Sequence, residues 1–119
     1  MIKKVYRLRE REVKKVLQKW KPFFSYNIVV NYTQNRCHHN RFAIVIGKKS
    51  IFNNVQRTFF RRRFYDMVSK YCENTSVEKK KYFDVVFVVK KQTKLDKKSE
   101  TSIRAFEKDI LFLAQKIHL

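Results

Sequence analysis

The stretch "KYFDVVFVVKK", Lys81 to Lys91, sets an almost unbroken apolar run between lysines. A half-exposed strand alternates apolar and polar residues, so a run that is apolar at both parities reads as a central strand buried on both faces. Upstream, "NIVVNY" from Asn27 to Tyr32 alternates Ile28, Val30 and Tyr32 against Val29 and Asn31, and "RFAIVIG" from Arg41 to Gly47 is a second β-branched run. With "QNRCHHN" joining them, the two read as a hairpin.

Helices flank these strands. Val13, Val16, Leu17 and Trp20 fall at i, i+3, i+4 and i+7, one face of a helix ending before Pro22. In "NNVQRTFFRRRFYDMVSKY", Asn53 to Tyr71, the spacing of Phe60, Phe64, Met67 and Tyr71 predicts a buried stripe, with Thr58, Arg61, Arg62, Tyr65 and Ser69 facing outward. Ile103, Phe106, Ile110, Leu113, Ala114 and Ile117 make an amphipathic C-terminal helix, with Ser99 as N-cap and Glu100 favourable in its first turn. The order read from the residues is αββαβα, with room for one more short strand. A single Gly and a single Pro leave little flexible punctuation.

The chain has 119 residues, enough for one domain (1–119) with a core of its own and too few for two domains and a linker. Twenty-nine Lys and Arg against ten Asp and Glu give a formal charge of +19, while a 44% hydrophobic content is too high for a disordered basic tail. Self-repulsion at this charge opposes compaction, so a polyanion that neutralises it is the leading explanation. Nucleic acid fits better than an anionic membrane or solubility alone, although an A/T-rich genome would also raise the lysine content. No apolar run approaches a membrane span or a signal-peptide core, and two cysteines, Cys37 and Cys72, do not make a disulfide framework. A reducing cytoplasm and no membrane partner are expected.

The arginine-rich helix holds almost no acid to pair with, unlike an ordinary solvated face that mixes signs. Beside "GKK", Gly47 to Lys49, its guanidinium groups suit phosphate oxygens. Catalytic chemistry is harder to find. Glu10, Glu12, Asp66, Glu73, Glu78, Asp84 and the C-terminal acids form no paired-carboxylate motif of the kind a metal nuclease needs, and Asp84 has no partner carboxylate in its own run. Cys37, His38 and His39 supply at most three ligands with no matching second cluster, so a polar loop tip is the simpler reading. An autonomous endonuclease is therefore disfavoured.

From "RFAIVIGKKS" through "NNVQRTFFRRRFYD" the chain resembles the protein subunit of bacterial ribonuclease P, whose hallmark is a strand ending in Lys-Lys followed by a helix reading roughly R-N-R-x-K-R-x-x-R-E. Arg57 and Thr58 fall on the first Arg and the Asn, Phe59 on the second Arg, Arg61 and Arg62 on the Lys-Arg, Tyr65 on the later Arg and Asp66 on the Glu. Thr58, Phe59 and Tyr65 depart from the pattern. The ends match as well: "YRLRERE" with Val13 and Leu17 is similar to the family's basic start and first helix, "YFDVVFVVKK" to its central strand, and Ile103 to Ile117 to its last helix.

The resemblance implies an α+β fold, an αβββαβα two-layer sandwich of the ribosomal protein S5 domain 2-like type. In it helices pack on one face of a four-stranded sheet and the parallel crossover is left-handed, against the usual rule. It also implies a role as the protein subunit of ribonuclease P, the endoribonuclease of tRNA 5′ maturation. The partners would be the catalytic RNA and precursor tRNA, in a 1:1 complex with a monomeric protein. The RNA and its Mg²⁺ would carry the chemistry, and the protein alone would be inactive, with no catalytic residue and no metal site of its own. Lys48, Lys49, Arg57, Thr58, Arg61, Arg62 and Tyr65 are expected on the ribozyme RNA. Val13, Leu17 and Tyr32 are expected in a cleft for the single-stranded 5′ leader, with Arg7, Arg9 and Lys90 at its rims; Val13 and Leu17 read equally well as core. A general RNA-binding module, ribosomal or in ribonucleoprotein assembly, is the alternative and would need the same charge.

Overall fold

The computed structural model describes residues 6–18, 23–25, 27–35, 39–47, 54–72, 82–90 and 95–117, with side chains of the 54–72 segment as far as Ser69. Its elements are α1 (Glu10–Leu17), β1 (Phe23–Phe24), β2 (Ile28–Asn35), β3 (Arg41–Val45), α2 (Asn54–Cys72), β4 (Tyr82–Val89) and α3 (Glu100–Lys116). This is the αβββαβα order, and β1 is the additional short strand. Trp20, Pro22, Cys37, His38, Lys48 and Lys49 lie outside the described residues, as do the side chains of Tyr71 and Cys72.

The sheet order is β1-β2-β4-β3, antiparallel except for the parallel pair β3 and β4, which α2 connects. Strands β2 and β3 are therefore not the hairpin that their short connection suggests, because β4 lies between them. The reason is in β4 itself, where Val85, Val86 and Phe87 are wholly buried. A strand apolar on both faces is stable only in the interior of a sheet, with ladders on both edges. Described residues on either side of the β2–β3 connection are tied to β4 and to one another. Phe83 N–H donates to the buried Asn40 Oδ1 at 2.9 Å, and Asn35 Nδ2 donates to the His39 carbonyl at 3.2 Å.

Alternation along the strands sorts side chains onto two faces. Ile28, Val30, Phe42, Ile44, Val85, Phe87 and Val89 face α2 and α3 and form the main core with Phe60, Phe64, Phe106, Ile110 and Leu113. Phe60 meets Phe106, and Phe64 meets Phe87, edge to face with centroids 5.1 Å apart. Each such ring removed from water contributes about 1.5–3 kcal/mol, with a further fraction from the aromatic geometry. The buried stripe of α2 is Phe60, Phe64 and Val68, at i, i+4 and i+8, while Met67 is only half-buried.

The opposite face is smaller and is covered by α1. Val16 and Leu8 pack on Ala43 and Val86, with Val13 and Val88 at the margin. Thus α2 and α3 with the sheet form the sandwich, and α1 stands apart from the one-face arrangement of helices because Ala43 and Val86 also need cover. Leu17, expected on the apolar face of α1, is 41% exposed. The ends of the helices follow local chemistry. Arg9 N–H donates to Glu12 Oε1 at 2.9 Å, half of a capping box, and Ser99 Oγ accepts from Ser102 N–H at 3.3 Å as its N-cap role requires.

Candidate nucleic-acid interface

Helical spacing divides the basic side of α2 into two flanks. Arg57, Arg61 and Tyr65 lie at i, i+4 and i+8 and share the flank next to β3. The segment before α1 brings a further arginine there: Arg7 forms a parallel bridge with Phe42, Leu8 N–H donates to the Phe42 carbonyl at 2.9 Å, and the Arg7 guanidinium carbon sits 5.7 Å from the centre of the Tyr65 ring. Burial pushes the Tyr65 hydroxyl pKa upward, opposed in part by the positive charges of Arg7 and Arg61. Arg57 Nη2 is 3.4 Å from Asn54 Oδ1, a weak contact that orients the guanidinium along the helix. Thr58, half-buried, adjoins this flank.

Arg62 does not join them. One residue beyond Arg61, it is turned by about 100° around the helix, toward Phe59 and Asp66. Arg62 thus stands at the centre of the exposed side of α2, with Arg57 and Arg61 toward its β3 edge.

The face under α1 holds the second region. A cavity of about 380 Å³ opens between α1 and the sheet, bordered by Lys15, Val16, Thr33, Gln34 and Asn35. At its floor Arg41 Nε and Nη2 donate to the two oxygens of Asp84 at 2.8 and 2.7 Å, Asn35 Nδ2 donates to Asp84 Oδ1 at 2.8 Å, and Arg41 Nη1 pairs with Glu12. Two carboxylates distant in sequence, Glu12 and Asp84, thus share one guanidinium. Among the described residues no group of three or more His, Cys, Asp or Glu stands where a metal ion could be held. His39 packs edge-on against Tyr6, with centroids 5.0 Å apart.

Of the residues expected around a leader cleft, Val13, Leu17, Arg9 and Lys90 belong to α1 or to the sheet face beneath it. Arg7 and Tyr32 do not. Arg7 lies on the α2 flank. Tyr32 shares parity with Ile28 and Val30, so it points to the α2–α3 side, where it stacks on Phe23 at 5.9 Å and meets Phe83 edge-on at 5.5 Å. The aromatic that sequence reasoning missed is Phe24. It pairs with Val29 on the α1 side, is 61% exposed, and has Lys90 Nζ 5.7 Å from its ring centre. Lys90 is anchored by donating to the Ser25 carbonyl at 2.7 Å. The only sequence signal was the pair Phe23–Phe24, whose strand is too short for periodicity to assign a face.

An α/β sandwich with an arginine flank on its crossover helix, and a cleft under its first helix, defines a class of RNA-binding proteins, and comparison with known families narrows it. The ribonuclease P family matches residues 2–115, and the chain belongs to that family, as a protein subunit of ribonuclease P. Its fold is similar to that of a Staphylococcus aureus ribonuclease P protein mutant with defective mRNA degradation activity (TM-score 0.75, 16% identity, covering 97% of this chain and 90% of that one). It is similar also to the ribonuclease P protein from Thermotoga maritima (TM-score 0.66, 21% identity, covering 92% of this chain and 96% of that one). No curated protein matches the sequence. Among the described residues no helix is long and apolar enough to cross a membrane.

Proposed function

We propose that this ribonuclease P protein docks on the catalytic RNA through the Arg57–Arg61–Tyr65 flank of α2 and through Lys48 and Lys49. The same protein holds the 5′ leader of precursor tRNA on the sheet face beneath α1. The observation that carries the reading is the convergence of Arg7 and Arg61 on Tyr65, with Arg57 one turn before Arg61 on the same helix flank. Guanidinium groups at this density favour phosphate, because each offers a planar fork to anionic oxygens.

The cleft supplies a different kind of contact. Phe24 offers a ring on which a base can lie, Leu17 and Val13 offer shape, and Lys90 and Arg9 hold the strand electrostatically. Arg41 is engaged by Glu12 and Asp84, so it shapes the floor rather than adding cationic reach. Mg²⁺ is held by the RNA and substrate, and the RNA performs the cleavage; the protein acts in the cytoplasm, monomeric, in a 1:1 complex. Family membership favours this over a general RNA-binding module.

The test is reconstitution with the ribonuclease P RNA of the same organism, following precursor-tRNA cleavage at low Mg²⁺. Added protein is expected to restore cleavage that the RNA alone performs poorly, while protein alone cuts nothing at any Mg²⁺ concentration. Cleavage by the isolated protein, or no stimulation of the RNA, would overturn the proposal.

A further inference from the structure

Glu12 has a separate task for each of its carboxylate oxygens. Oε1 accepts the Arg9 N–H at 2.9 Å and caps α1, while Oε2 pairs with Arg41 Nη1. The cap does not need Arg41. Arg41 in turn has Nε and Nη2 on the two oxygens of Asp84, at 2.8 and 2.7 Å, so its place on the sheet does not depend on Glu12. The Arg41–Glu12 pair can therefore open with each partner keeping another anchor. Exposure points the same way: the Glu12 side chain is 28% exposed against 11% for Asp84, which makes Arg41–Glu12 the wetter of the two pairs. An ion pair in contact with water exchanges one partner for another at little desolvation cost.

All three groups border the cavity under α1, and Lys15 is the remaining charged residue of its lining. One guanidinium against two carboxylates leaves a single negative charge, which Lys15 cancels. In a chain of charge +19 this floor is a neutral patch between cationic rims at Arg9 and Lys90. A phosphodiester drawn in by the rims thus finds a carboxylate on the guanidinium edge that would suit it. We propose that Glu12 is a built-in counter-anion that competes with a phosphate of the 5′ leader for Arg41, so that seating the leader on the floor turns Glu12 aside. Glu12 is then a positioning residue acting through Arg41. With Glu12 in place Arg41 belongs to the floor; with Glu12 turned away its Nη1 edge joins the cationic rims. The inference rests on the leader lying under α1, and it adds what sets the strength of that contact. A residue that merely clamped α1 to the sheet would give the opposite sign, because its loss would loosen the cleft and weaken the leader.

The experiment compares precursor and mature tRNA binding by the reconstituted holoenzyme across a salt series. Glu12→Gln keeps an oxygen for the Arg9 N–H and removes the charge. Glu10→Gln removes the same charge from the same helix outside the cavity, at a side chain 88% exposed. Glu12→Gln should tighten precursor binding about fivefold and leave mature tRNA unchanged, whereas Glu10→Gln should move precursor binding by less than about twofold. The slope of log precursor affinity against log salt should also steepen by somewhat under one unit, as Arg41 gains a phosphate. Urea unfolding checks that each variant keeps its fold. In the unmodified protein, saturation with a leader pentanucleotide should shift the Glu12 carboxyl carbon resonance and leave that of Asp84 in place, a readout that needs no substitution. Unchanged or weakened precursor binding, equal tightening by Glu10→Gln or on mature tRNA, or a Glu12 resonance that does not move would overturn the inference. A wild-type holoenzyme that prefers precursor over mature tRNA but gains nothing from Glu12→Gln removes this inference alone. One that does not prefer precursor removes the leader reading as well.

Discussion

The Arg41 guanidinium grips both oxygens of Asp84, at 2.8 and 2.7 Å, across a register pair of the parallel β3–β4 ladder, while its remaining nitrogen holds Glu12 of α1. One side chain therefore joins two strands and the helix that roofs the cleft. Asp84→Ala leaves a largely buried cation with one of its two carboxylates and should cost about 3 kcal/mol. Glu12→Ala removes the more exposed partner and should cost about 1 kcal/mol. Urea unfolding monitors both, and equal costs would mean that the bidentate pair has no special weight.

Ribozyme docking through the β3 flank of α2 predicts a specific salt response. Arg57→Ala and Arg61→Ala should each lower the slope of log affinity for ribonuclease P RNA against log salt by somewhat under one unit, as one phosphate contact is lost. Filter binding across a salt series measures this. An unchanged slope in both variants would place the RNA elsewhere.

In the cleft, Phe24 and Tyr32 are expected to behave oppositely. Phe24→Ala should weaken precursor-tRNA binding to the holoenzyme by about 1–3 kcal/mol and leave mature-tRNA binding unchanged, the signature of a lost base-stacking surface. Tyr32→Ala, cut from between Phe23 and Phe83, should lower stability by about 2 kcal/mol and leave the difference between precursor and mature tRNA intact. With few aromatic rings on the cleft face, leader affinity should depend on Arg9 and Lys90 and fall steeply with salt.

Tyr65 gives a prediction in alkaline solution. Its folded pKa is raised above the ordinary 10.0, mainly by burial, so the folded state keeps the phenolic proton after the unfolded chain has lost it. The stabilising contribution is complete below pH 10 and is lost as pH rises through the raised folded value. Tyr65→Phe should remove that component, flattening the alkaline decline in unfolding free energy relative to the unmodified protein. Phenolate absorbance of the folded protein should correspondingly lose a component that titrates above the ordinary tyrosine range.

The long periodic segments were readable from residues alone: the run Tyr82 to Val89 as a central strand, the stripe Phe60–Phe64, and the Ser99-capped last helix. What escaped was non-local or too short. Nothing in "QNRCHHN" says that a strand from more than forty residues later inserts between its neighbours, because loop length reports proximity and not pairing. Asp84 stood in the central run without a partner carboxylate, and only the register and the packing of α1 bring Arg41 and Glu12 to it. The two-residue strand β1 hid the orientation of Phe24, while the parity that Tyr32 shares with Val30 already allowed the packing role it has between Phe23 and Phe83.

The late arrival of β4 bears on how the chain is made. Arg41 and Asp84 are 43 residues apart, so during synthesis β2 and β3 emerge long before the strand that satisfies the edges of both. At ~5–20 residues per second the interval lasts seconds, during which two β-branched segments carry unpaired backbone groups. Non-local pairing of this kind also slows folding once synthesis ends. Mutual repulsion among nascent copies with this surplus of positive charge works against premature strand-to-strand association. The charge that suits the mature protein to RNA would thus also act as a solubility guard on the ribosome.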